Sequence, residues 1–129
     1  MSPWLSAARP RTLPLALASI FMGSFLAAAA GGFRGEVLAL AALTTVLLQI
    51  LSNFANDYGD AVSGLDNAER TVATRAVQTG AITRRQMGRA IVVTSGLAFV
   101  SGLALLYTAL GTANGRDWLF FLGLGILSI

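Results

Sequence analysis

The chain has 129 residues, 55% of them hydrophobic and 12% charged, with a mean hydropathy of +0.70, a balance foreign to water-soluble domains and expected of an integral membrane protein. All nine basic residues are Arg, with no Lys, His or Cys; this excludes disulfides, thiolate chemistry, histidine bases and Cys/His metal sites in this chain, and leaves oxygen ligands, hence hard cations such as Mg²⁺, for any metal it holds. The net charge of +3 and isoelectric point near 10.6 do not call for nucleic acid, because the arginines gather between apolar runs, as they do in cytoplasmic membrane loops.

Ser2, Pro3 and Trp4 predict a short interfacial helix, with Ser2 as N-cap, Pro3 in the first turn and Trp4 at headgroup level. A cleavable signal peptide is not expected, because a full-length span follows Arg9-Pro10-Arg11-Thr12 in place of a short apolar core and cleavage site. Residues 13–30 carry no charge and extend about 27 Å as a helix, adequate for a bilayer core of about 30 Å. Pro14 lies in the first turn of this span, where its missing N–H costs little, and Gly23 with Ala27 to Ala30 permits close helix packing. Residues 31–36, with Gly31, Gly32 and Gly35, predict a tight turn. A second span covers 37–58, a third 88–110, and a fourth apolar run occupies 118–129, where about 18 Å of helix falls short of a crossing.

From Gly59 the apolar pattern fails, and a polar connection carries Asp60, Asp66, Glu69, Arg70, Arg75, Arg84 and Arg85. Asp66 and Glu69 have capping-box spacing and predict a short helix near 67–74; Thr83 and Gln86 form a second such box before the third span. Arg9 and Arg11 precede the first span and Arg70, Arg75, Arg84, Arg85 and Arg89 follow the second, whereas the opposite side has Arg34 and Arg116, each with an acid nearby. The positive-inside rule therefore places the N-terminus and the connection after the second span in the cytoplasm. No repeat of fixed period is evident.

The stretch 49–60 departs from its greasy surroundings. At 100° per residue, Gln49, Asn53, Asn56, Asp57 and Asp60 fall within an arc of about 100° on one helix, with Leu51, Phe54, Ala55 and Tyr58 elsewhere. Carboxylates and carboxamides are costly to present to lipid, so the stripe faces a bundle interior or a water-filled cavity. Asn53, Asp57 and Asp60, at i, i+4 and i+7, converge from successive turns. Converging carboxylates can hold Mg²⁺, which uses one or two of them and completes its shell with water and phosphate oxygens. A diphosphate facing two aspartates needs that metal, with Arg70 or Arg75 as further counter-charge. At the mouth of an apolar bundle, an isoprenoid diphosphate fits, its allylic C–O bond ionising where cations stabilise the departing group and dry walls exclude water.

Simpler readings stand beside this one. Asp57 and Asp60 as solvated charges ending a membrane helix, Asp66 and Glu69 as caps, Gln49 and Asn53 as interhelical hydrogen-bonding groups, and Arg84, Arg85 and Arg89 as topology determinants all satisfy the same spacing. An EF-hand does not, since ligand spacing and loop glycine both fail. A four-helix membrane protein that binds a lipid or protein partner without catalysis remains the rival to an enzyme, and a diphosphate transporter is a third reading.

Asn56-Asp57-Tyr58-Gly59-Asp60, then Gly64-Leu65-Asp66-Asn67 and Arg75-Ala76-Val77-Gln78-Thr79-Gly80, resembles the first aspartate-rich motif and following loop of the UbiA superfamily of intramembrane prenyltransferases. The opening 4–14, with Arg9-Pro10-Arg11-Thr12-Leu13-Pro14, is similar to the start of those proteins, and the likeness runs through nearly the whole chain. The resemblance implies an all-α, polytopic transmembrane helix bundle of about nine spans around a cavity, with two aspartate-rich motifs holding Mg²⁺ and a prenyl diphosphate. It implies Asp57, Asp60 and Arg75 as the catalytic set, Asp57, Asp60 and Asp66 as metal ligands, and Gln49, Asn53, Asn56, Tyr58 and Arg70 as substrate-binding residues. The implied reaction moves a polyprenyl group to a dihydroxynaphthoate ring with loss of its carboxylate, giving demethylmenaquinone, in a multi-pass protein of the cell's inner membrane. Where the superfamily often has a third acid four residues beyond the second, this chain has Gly64, with the acid at Asp66, which favours the naphthoate over the hydroxybenzoate branch. The chain stops within its fourth apolar run, before any second aspartate motif, so it is expected to be the N-terminal part of a longer enzyme and inactive by itself.

Overall fold

The computed structural model describes residues 2–63, 80–111 and 115–127, and every regular element among them is helical. Helix α1 (Pro3–Ala8) begins as its sequence demands, with Pro3 in the first turn and the Ser2 hydroxyl accepting the Leu5 N–H at 3.3 Å. It ends at Arg9 because the ring of Pro10 bars the preceding residue from the helical region. Arg9 turns left-handed (φ 49°), and its N–H closes back on the Ser6 carbonyl at 3.2 Å. A 3-10 turn, Pro10–Thr12, then leads into α2 (Leu13–Ala29). No residue of α2 is buried. It is apolar all round, as suits a helix facing lipid or other spans. Gly31 terminates it in the left-handed region (φ 73°), where glycine has no Cβ to clash, and the N–H groups of Gly31 and Gly32 return to Ala28 and Ala27 carbonyls.

Helix α3 (Gly35–Ser63) starts inside the expected turn, with Glu36 in the first turn, where the helix dipole favours an acid. It also runs on past Gly59, contrary to the break expected there. A single mid-helix glycine costs only about 1 kcal/mol, and Ala61 and Val62 resume a helix-compatible run. The last turn is tied down as well, since the Arg84 guanidinium donates to the Ala61 carbonyl at 2.5 Å. At about 44 Å, α3 exceeds the hydrocarbon thickness of a bilayer.

Helix α4 (Arg84–Leu110) opens with the predicted capping box: the Thr83 hydroxyl accepts the Gln86 N–H at 3.2 Å and the Gln86 side chain accepts the Thr83 N–H at 2.9 Å. Arg34, just before α3, donates to the Ala109 carbonyl at the other end of α4 at 3.3 Å. Between these ends, Thr44 and Ser101 share a hydroxyl hydrogen bond of 2.8 Å across the two helices. Helix α3 is the centre of the arrangement: it packs most extensively on α4, then on α2, and carries α1 across its far end. Helix α5 (Gly115–Leu127) begins earlier than the apolar run alone suggests, with Asp117 in its first turn, and it meets α4.

Among the described residues, three stretches are long and apolar enough to cross a membrane: Pro3–Ala29, Gly35–Val62 and Arg84–Leu110. Their outward side chains stay exposed, Leu15 at 82% and Val92 at 72% among them. That is affordable only where the surroundings are themselves apolar. The close-packed cluster lies instead at the far end of α3, where Ala7, Phe54, Ile82 and Met87 are buried together and Trp4 sets its ring edge-on to Phe54, centroids 5.9 Å apart. The helix expected near 67–74 and its Asp66/Glu69 cap lie outside the described residues.

Candidate functional site

The polar stripe lies on α3, and burial varies across it in a way the helical geometry explains. Asn53 and Asp57 occupy one edge, are 4% and 2% exposed, and sit beneath the α1 segment. Gln49 and Asp60, nearer the middle, are half-buried, and Asn56, at the opposite edge, is exposed. One edge of the stripe is therefore sealed and the other open.

The seal is made of specific contacts. The Asn53 amide donates to the Ala8 carbonyl at 2.9 Å and to the Thr12 hydroxyl at 3.4 Å. Ala8 is the last residue of α1, so Asn53 satisfies a helix-terminal carbonyl that has no partner within its own helix. Thr12 in turn donates its hydroxyl to the Arg9 carbonyl at 2.9 Å. Gln49 reaches the Asn53 side-chain oxygen at 3.5 Å, a weak contact at the limit of hydrogen bonding. Bent outward from the helix axis by its left-handed backbone, Arg9 places a guanidinium nitrogen 2.5 Å from Asp57 Oδ1. The guanidinium is 35% exposed, the carboxylate 2%. A carboxylate so deeply covered demands a counter-charge, since an unpaired buried charge costs several kcal/mol.

Of the residues expected at the site, Gln49, Asn53, Asn56, Asp57 and Asp60 are brought to one face of α3. Tyr58 is not among them. It projects to the other side of α3, toward an open groove of about 570 Å³ whose lining also includes Arg84, Arg85, Gly88, Arg89, Val92 and Val93. Asp66, Arg70 and Arg75 lie outside the described residues. Arg9 and Thr12 belong to the site although their sequence signal suggested topology and a span boundary. The available hint was indirect: two aspartates on an apolar helix need a cation, and an arginine immediately before a proline sits where a helix is interrupted.

Among the described residues no group of three acidic, His or Cys side chains comes together. What the site offers is Asp57 and Asp60, one helical turn apart, with Asn53 and Asn56 on the same face of α3. An all-oxygen set too small for a full cage fits a Mg²⁺ ion that keeps waters and takes phosphate oxygens, and does not fit a soft metal.

Apolar spans lying around a long central helix, with the polar chemistry gathered at one end, make this a multi-pass membrane protein. The UbiA prenyltransferase family matches residues 16–128, and the chain belongs to that family. Over 126 residues, 98% of this chain, it is 50% identical to 1,4-dihydroxy-2-naphthoate octaprenyltransferase of Escherichia coli, 40% of which is covered. It is 48% identical over 128 residues to the Haemophilus influenzae protein of the same name, covering 41% of it, and 36% identical over 104 residues to that of Mycobacterium tuberculosis, covering 35%. The chain thus spans about 40% of the length of the two more similar of these curated relatives. No solved structure matches it.

Proposed function

We propose that this chain forms the N-terminal spans of a Mg²⁺-dependent prenyltransferase that carries a polyprenyl group from an allylic diphosphate to 1,4-dihydroxy-2-naphthoate. The observation that carries the proposal is the 50% identity, along 98% of the chain, to a relative named for octaprenyl transfer and for 1,4-dihydroxy-2-naphthoate. The paired aspartates at the end of α3 supply a place for the diphosphate end, and the apolar spans beside them a place for the hydrocarbon tail. In the transfer, the allylic C–O bond breaks, diphosphate leaves, a C–C bond forms to the naphthoate ring, and the ring carboxylate departs as CO₂.

Asp57 and Asp60 hold the metal, with Asp66 as a third candidate; when bound, Mg²⁺ neutralises the diphosphate and assists its departure. Gln49, Asn53 and Asn56 line the polar floor beside the aspartates and take part in substrate binding, and Arg70 and Arg75 add positive charge to the diphosphate oxygens. Tyr58 serves substrate binding from the groove on the other side of α3. Asp57 lies about 32 Å along α3 from Glu36, at the far edge of a bilayer core about 30 Å thick, where a charged headgroup and an apolar tail part company. The protein crosses the cell's inner membrane several times, with its N-terminus and the Asp57 end of α3 in the cytoplasm, as the arginine distribution favours.

The test is transfer of a radiolabelled polyprenyl group to 1,4-dihydroxy-2-naphthoate by the full-length protein in membranes. Asp57→Asn and removal of Mg²⁺ by chelation should each reduce turnover by at least about 100-fold without loss of membrane insertion. Undiminished turnover in the substituted protein would remove Asp57 from the site.

A further inference from the structure

We propose that Arg9 handles the diphosphate by exchanging partners: in the unloaded site its guanidinium holds the Asp57 carboxylate, and when a diphosphate binds with its divalent cation the guanidinium turns to the diphosphate oxygens and leaves Asp57 to the cation. The proposal rests on Asp57 being a cation ligand, as argued above.

Four observations lead to it. First, Asp57 is 2% exposed and its Oδ1 is occupied by Arg9 at 2.5 Å. A guanidinium on that oxygen repels a divalent cation arriving at the same carboxylate, so cation binding at Asp57 is opposed while Arg9 stays and eased once it turns away. Second, the two partners differ in freedom: Asp57 is enclosed within the packed end of α3, while the Arg9 side chain is 35% exposed. Third, the backbone beneath Arg9 is anchored. Asn53 holds the Ala8 carbonyl at 2.9 Å, Thr12 holds the Arg9 carbonyl at 2.9 Å, and Trp4 packs on Phe54. The guanidinium can therefore swing by side-chain rotation alone, without detaching α1. Fourth, a planar guanidinium matches carboxylate and phosphate oxygens with the same two-pronged geometry, which an ammonium does not.

The exchange keeps every charge partnered. Without ligand, Arg9 and Asp57 neutralise one another, sparing the buried carboxylate an unpaired state. With ligand, Asp57 faces the cation and Arg9 faces the diphosphate. No charge has to be created or left bare in either condition.

Binding of Mn²⁺ to the full-length protein in lipid nanodiscs, followed by electron paramagnetic resonance with and without inorganic pyrophosphate, tests this directly. If Arg9 competes with the cation and then grips the diphosphate, Arg9→Gln should move the two affinities in opposite directions: Mn²⁺ alone binds about tenfold tighter, and pyrophosphate in the presence of Mn²⁺ about tenfold weaker. Arg9→Lys keeps the charge but loses the fork, and should show the same opposed shifts in smaller measure, so the result is readable if Arg9→Gln does not fold. Should both variants leave both affinities unchanged, or lower both together, Arg9 is a structural clip and the exchange is wrong. Asp57→Asn provides the separate control: if Mn²⁺ binding survives it, the ligand role of Asp57 fails irrespective of what Arg9 does.

Discussion

Asn53 shows how much one carboxamide does at the end of this helix. Its two donated hydrogen bonds fasten both sides of the Arg9 bend to α3, one at Ala8 and one at Thr12. Asn53→Leu keeps the volume and loses both, leaving the Ala8 carbonyl unsatisfied beside a packed cluster; the expected cost is about 1–3 kcal/mol, read from thermal unfolding in detergent, with earlier protease cleavage between α1 and α2. The stripe itself was legible in the sequence because helical periodicity is local, and 100° per residue is enough to group Gln49, Asn53, Asn56, Asp57 and Asp60 and to set Tyr58 apart. The partner of Asp57 was not. Arg9 lies 48 positions away, and its placement depends on a left-handed bend that the dipeptide Arg9-Pro10 permits but does not dictate.

The elements follow the same division between local and distant causes. Both caps of α1 and α4 could be read directly, because Ser2 and the Thr83/Gln86 pair act within one turn of their own helices. Thr83→Ala should cost about 1 kcal/mol of stability and expose the first-turn N–H groups of α4 to faster hydrogen exchange. The extension of α3 to Ser63 was not readable, since it depends on Arg84 returning from the next helix to the Ala61 carbonyl. Burial was equally hidden. An apolar residue on a membrane helix reads the same whether it faces lipid or protein, yet Met87 is fully buried and Val92 is 72% exposed on the same helix. Met87→Ala should destabilise by about 2–5 kcal/mol, whereas Val92→Ala should stay within about 0.5 kcal/mol; unfolding in bilayers separates them.

At the scale of the whole chain, the composition and the apolar runs suffice to announce a membrane helix bundle, because satisfying every backbone group in lipid leaves helices as the form for such runs. The absence of cysteine from the sequence makes the proposed orientation easy to test. Ala81→Cys should react with a membrane-impermeant maleimide from the cytoplasmic face only, and Gly32→Cys from the opposite face only; the reverse pattern would invert the topology. The arginine contacts at the two ends of the α3–α4 hairpin carry a mechanical consequence. Arg34 grips Ala109 at one end, Arg84 grips Ala61 at the other, and Thr44 meets Ser101 between them. Sliding one helix by a single turn, about 5.4 Å, would break all three at once. The hairpin is thus held in register at both ends and in the middle, a stator against which the Arg9 side chain turns while α1 stays anchored on α3.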